Sequence, residues 1–319
     1  MERLNNPVAR TVERFWRVSP PLTAVGLLML AALALSLVGL VADPRLITGV
    51  PAWLKPAKFA ASTAIYSLTL AWVFTALPSW EKTRRLVGWA TAAVFVFEVV
   101  IIDVQAWRGT TSHFNISTPL NAVLFAAMGT AIVLQTLASV AVAVALWRQR
   151  AFEDRALAWA LRLGMTLTIV GAATGGLMTR PTTAQLAEAR LGERMTIVGA
   201  HTVGAPDGGP GLTGTGWSLE HGDLRVPHFV GLHALQILAI GLALVRRRSR
   251  SEPARVRAVF VEAGALATLF VILLTQALRG QSFAAPDGAT MSVLGVWAVA
   301  TAGAWFLVGP RGAVVRSAI

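Results

Sequence analysis

The chain has 319 residues, 55% of them hydrophobic and only 14% charged, with no cysteine and a formal net charge of +12. The lack of cysteine excludes disulfides, thiolate metal sites and iron–sulfur clusters. The positive charge would suit nucleic acid, but the basic residues lie in short clusters between apolar runs of about 20 residues, long enough to cross ~30 Å of hydrocarbon. The charge therefore reads as membrane topology, and the bilayer, not nucleic acid, is the expected partner.

In chain order, residues 1–20 form a basic, partly amphipathic segment (Val8, Val12, Phe15, Trp16) suited to the cytoplasmic membrane surface. The first apolar run is too long for a signal-peptide core and reads as a retained helix. Eight spans are expected, at 21–42, 57–77, 86–107, 118–147, 156–178, 227–245, 257–278 and 290–309. They read as unbroken helices apart from the Gly171–Gly176 region. The basic clusters after the second, fourth and sixth spans, together with the N-terminus, Arg311 and Arg316, place both termini in the cytoplasm of a bacterium with this chain in its inner membrane. The outer face then receives the loops 43–56, 108–117, 179–226 and 279–289. All five histidines fall in these loops or just inside the adjoining membrane.

The two halves resemble one another. Gln105-Ala-Trp-Arg108-Gly109 parallels Gln276-Ala-Leu-Arg279-Gly280, and Lys58-Phe59 with Thr63 parallels His228-Phe229 with His233. The expected fold is an all-α integral membrane protein of about eight helices in a tandem parallel repeat. Its units would be 21–150 and 151–310, the second carrying the loop 179–226, with a tail at 311–319. The repeat fails at Glu98 and Asp103, whose counterparts are Leu269 and Leu274, so a site between the halves would be asymmetric.

Ionisable groups inside spans are costly and usually face a bundle interior or a functional path. Glu98, Asp103, His113 and His233 are the candidate acid–base residues. Asp103 could instead pair with Lys58 or Arg108 and simply lock helices together. His113, His228 and His233 are candidate ligands for iron, copper or zinc, although His228 and His233, five apart on a helix, point about 140° from each other. His228 would need a flexible first turn after Pro227 to reach a shared metal. Met178, Met195 and Met291 would suit copper, and His113 with His233 could supply the axial ligands of a b-type haem. His201 and His221 read as interfacial loop residues.

Lys55 and Lys58, flanking Pro56 at a helix start, suit an anion, and Gln105, Arg108, Gln236, Gln276 and Arg279 could add contacts to a small-molecule or lipid ligand. The glycine-rich stretch from His201 to Gly211 lacks the ending of a P-loop and reads as tight turns around Asp207. So long a loop suggests a lid or binding loop, with a short amphipathic helix at 183–198. Three functions compete: a metal- or haem-dependent membrane enzyme with an outward polar pocket, which leads; a transporter or binding protein for an anionic solute or lipid; and a structural subunit that meets a partner through the loop.

Overall fold

Helix α1 (Pro7–Val18) starts where the Asn6 side chain accepts from the backbone N–H groups of Val8 and Ala9, with Pro7 in the first helical position. No residue of α1 is fully buried, though Phe15 and Val18 pack against the core. This computed structural model describes residues 6–249 and 251–308, so the expected tail at 311–319, with Arg311 and Arg316, lies outside the described residues. Pro20 and Pro21 restart the chain as α2 (Pro20–Ala42). A two-strand hairpin, β1 (Leu46–Ile47) with β2 (Val50–Pro51), leads into α3 (Leu54–Phe74). Next come α4 (Glu81–Trp107) and α5 (Pro119–Arg148), the latter capped by the Thr118 hydroxyl.

The second half begins with α6 (Arg155–Ala173), capped by Asp154, and the single turn α7 (Gly175–Met178). Thr182 and Gln185 form a capping box that starts α8 (Thr183–Arg190), which ends eight residues short of the helix expected to reach 198. Strands β3 (Thr202–Val203) and β4 (Gly222–Asp223) pair across the long loop. The chain closes with α9 (Arg225–Leu232), α10 (Ala234–Arg248), α11 (Glu252–Leu278) and α12 (Gly288–Val308).

Seven of these helical stretches are long and apolar enough to cross a membrane, and α9 with α10 makes an eighth if the bent pair is one span. This is a polytopic membrane protein. In lipid the helices are held by close packing and interhelical hydrogen bonds, because tails and side chains are equally apolar. The largest cluster, including Leu70, Phe74, Leu146, Leu161, Met165 and Leu235, joins α3 and α5 to α6 and α10. This one cluster thus ties the two halves of the chain together.

The sixth span departs from the sequence reading. α9 and α10 meet at 50° about His233, so the expectation of an unbroken helix there is corrected. The physical cause sits on α6. Gly171 and Gly231 bring two backbones into contact, and a Cβ on either would overlap the other's backbone. Thr168 then serves the break: its hydroxyl donates to Leu232 O at 3.4 Å and accepts from Leu235 N at 3.3 Å. Backbone groups freed inside a membrane need such substitutes.

The two corners that resembled each other in sequence match in geometry. Gln105 donates to Thr111 O at 3.3 Å and Gln276 to Ser282 O at 2.8 Å, each six residues on. Gly109 and Gly280 follow with φ of 72° and 73°. α4 and α11 both contain 27 residues.

Candidate functional site

The candidate site lies at the end of the bundle that carries the 179–226 loop (the loop end). The loop is tied down from both halves. Lys58 donates to Thr215 O at 2.5 Å, Arg225 to Gly216 O at 2.6 Å, and Ser282 to Ser218 O at 3.4 Å. Asp223 is buried and binds Arg225 at 2.6 Å while accepting from Ser218 N at 2.7 Å. Gly199, with φ of +91°, lies so close to the Met178 carbonyl that no side chain fits. The long loop is thus anchored to the bundle by side chains from both halves of the chain.

Under the loop, His113 lies among three phenylalanine rings, 5.7 Å from Phe59, 6.2 Å from Phe114 and 6.5 Å from Phe125. Its Nδ1 is 3.1 Å from Ser112 Oγ. On the other side of Phe114, at 4.8 Å, lies His201. Phe114 holds φ of 62°, a left-handed conformation costly for a bulky residue, and its ring contacts both imidazoles. His201 Nδ1 is 2.6 Å from Asp207 Oδ2, and Asp207 also accepts from the backbone N–H groups of His201 and Thr202.

Burial pushes His113 well below the ordinary histidine value, and the charges of Lys55 and of His201 in its protonated form add to this. Burial also lowers His201, with Asp207 partly opposing. Burial acts to raise Asp207, yet its hydrogen bonds to His201 and the backbone hold it well below the usual carboxylate range. Burial thus favours the neutral form of both imidazoles, and the hydrogen bonds at Asp207 favour its carboxylate.

Lys55 projects over the Phe59 ring at 5.7 Å. Among the described residues its ammonium forms no hydrogen bond or ion pair, although Lys58, Arg225, Glu98 and Asp207 all act on it electrostatically. Three cations here face two loop carboxylates, Asp207 and Asp223, and Lys55 is the cation left without a direct partner.

The expected metal site is corrected. Among the described residues no three histidine or acidic side chains converge on a point where a metal could bind. His228 does not swing from a flexible first turn. It sits inside α9 with Nδ1 2.8 Å from Gly171 O and 3.0 Å from Thr174 Oγ1. His233 occupies the break and stacks on Phe229 at 4.3 Å, while His221 bridges Gln281 in the loop. The histidines thus stand apart in separate roles, and no cluster of them forms.

Asp103 forms no ion pair with Lys58 or Arg108, and its Oδ1 lacks a hydrogen-bond partner among the described residues. Arg108 turns to Gln105 and Asn121 instead. Gln105, Arg108, Gln276 and Arg279 are held in the two helix corners, with Arg279 paired to Asp287 at 2.5 Å. Gln236 reaches across to Thr69 at 3.4 Å. Glu98 is 1% exposed, and among the described residues neither of its oxygens has a hydrogen-bond partner, although the charge of Lys55 acts on it.

Some features went unseen in the sequence. In the sequence the Asp207 stretch reads as turn chemistry, and nothing marks Glu262, whose carboxylate sits against the bare backbone of Gly241. The spacing of Thr91, Glu98 and Gln105, seven apart on one face of α4, was the available signal for a polar stripe. Comparison with protein-family models, curated proteins and solved structures finds no match, so the functional reading rests on the chemistry of the site.

Proposed function

We propose that this membrane protein binds an anionic solute or lipid headgroup, carrying a carboxylate or phosphate, at the outer face beneath the 179–226 loop. The observation that carries this reading is the Lys55 ammonium, which has no acceptor among the described residues while Lys58 and Arg225 are engaged by the loop. Partly desolvating a cation without a counterion costs free energy, and an anion beside half-buried Lys55 would offset that cost. The neutral imidazoles of His113 and His201 supply hydrogen bonds to such a ligand, not charge.

The break at His233 favours transport over a passive receptor. Discontinuous helices beside a polar site are characteristic of transporters, and the bent α9–α10 pair supplies one here. A tandem parallel repeat of 21–150 and 151–310 belongs to the same proposal. It is supported by the equal lengths of α4 and α11 and by the matched corners at Gln105 and Gln276.

A second reading, catalysis, is favoured by the His201–Asp207 pair. If His201 donates Nδ1–H to Asp207, its Nε2 lone pair is oriented to take a proton from a bound molecule or water.

Thermal unfolding of the detergent-purified protein tests the main reading, with inorganic phosphate and citrate as soluble probes and phosphatidylglycerol in mixed micelles as the lipid probe. A ligand at a hundred times its Kd raises stability by about 2.7 kcal/mol. Stabilisation by any of the three should vanish in Lys55→Met, whose unliganded midpoint should hold or rise. If none stabilises the parent, or Lys55→Met responds as the parent does, the anion site is wrong.

A further inference from the structure

Two carboxylates act on the Lys55 ammonium, Asp207 in the loop and Glu98 within the bundle. Asp207 is already satisfied, by the His201 ring at 2.6 Å and by the backbone N–H groups of His201 and Thr202. Glu98 is not. It is buried, and among the described residues neither of its oxygens accepts a hydrogen bond.

Phe59 links Lys55 to the level of this acid. The ammonium lies 5.7 Å from the centre of the Phe59 ring, one turn further along α3. The same side chain packs with Phe95 and Val99 in one apolar cluster and with Ile101, Ile102 and Met128 in another. Phe95 and Ile102 stand about one turn to either side of Glu98 on α4. The residue beneath Lys55 therefore belongs to the packing that encloses Glu98.

The helices packed against α4 offer Glu98 no other charge. α2 has no ionisable residue, and α5 has none before Arg148 at its far end. α3 adds Lys58, engaged by Thr215 O, and Tyr66, whose hydroxyl is 2.7 Å from Ser139 Oγ. On α4 itself Asp103 is turned away by about 140°, and the basic first turns lie about 20 Å distant along the axis. Among the described residues, the charge that acts on Glu98 is that of Lys55.

An ionised carboxylate in a membrane interior is costly unless a partner offsets its desolvation. In the empty protein Lys55 supplies that offset. An anion at Lys55 engages this positive charge and brings a negative one of its own. A proton on Glu98 then removes the repulsion. Given the anion site inferred above, we propose that anion binding at Lys55 is coupled to proton uptake, one proton passing from solvent to the Glu98 carboxyl for each anion bound.

Citrate binding to the detergent-purified protein is followed by titration calorimetry at about pH 8, well above the carboxylate range, so that citrate itself stays ionised. Tris and triethanolamine release different heats on giving up a proton, so the difference in binding heat between these buffers counts protons. The parent should take up as much as one proton per citrate, and its Kd should rise with pH by up to about tenfold per unit. Glu98→Gln should bind citrate without uptake and without that slope. Equal heats in the two buffers overturn the proposal. So does an uptake that survives in Glu98→Gln, which would place the proton on Lys55, His113 or His201. Should Glu98→Gln fail to elute as a folded monodisperse species, the parent is treated with dicyclohexylcarbodiimide, which modifies protonated carboxyls in apolar surroundings. Citrate should speed modification of the Glu98 peptide, and an unchanged or slower rate counts against the coupling. If citrate, phosphate and phosphatidylglycerol all fail to bind, the anion site falls and the coupling with it. Citrate binding without proton uptake sinks the coupling alone.

Discussion

His113 carries a pH consequence that can be worked through at a single residue. Burial first, then Lys55 and protonated His201, hold its folded-state value well below the 6.5 of the free side chain. The unfolded chain therefore takes up a proton as pH falls through about 6.5, while the folded protein stays unprotonated there until lower pH. Stability is fully present above that value and declines below it, by at most about 1.4 kcal/mol per pH unit for one proton. Thermal midpoints between pH 8 and 5 should fall on the acid side in the parent and fall less steeply in His113→Gln. Identical slopes would mean that His113 accepts its proton without leaving its place among Phe59, Phe114 and Phe125. Lys55, Glu98 and His113 were legible in the sequence because charge and histidine stand out in apolar surroundings. Asp207 was not, since a loop aspartate reads as a turn until its histidine partner is seen 2.6 Å away.

At the scale of elements, spans were readable because length and hydropathy alone determine which segments cross lipid. All eight expected spans overlap the helices observed, with the sixth answered by the α9–α10 pair. What hydropathy does not encode is interruption. The bend at His233 has no proline to announce it and arises from a contact 60 residues away, where Gly171 meets Gly231 backbone to backbone. Gly171→Ala should therefore force α6 and α9 apart at a cost of about 1–3 kcal/mol, the usual range for overpacking. Gly176→Ala, with open space around the position, should change stability by no more than about 0.5 kcal/mol. Thermal midpoints of the two variants in the same detergent decide it. Equal midpoints would show that the helices adjust freely at Gly171 and that the close approach does not set the bend.

For the whole molecule, the sequence carried composition and internal similarity further than chemistry. The matched Gln105 and Gln276 corners were visible as short motifs, whereas the polar interior around Glu98 depends on which faces of α4 and α5 meet, and only packing decides that. Orientation remains a prediction of charge. The segment around Arg150 lies between α5 and α6, and Glu188 in α8 is separated from it by the fifth span alone. The chain has no cysteine, so Arg150→Cys and Glu188→Cys each introduce one unique thiol, both at exposed positions. The positive-inside rule places Arg150 in the cytoplasm and Glu188 outside. A membrane-impermeant maleimide added to intact cells should therefore label Glu188→Cys at once, and Arg150→Cys only after permeabilisation. The reverse pattern would turn the Lys55 site toward the cytoplasm and make its anion a cytoplasmic one. Labelling of both in intact cells would mean that α6 does not cross the membrane, and the four-plus-four arrangement would fall with it.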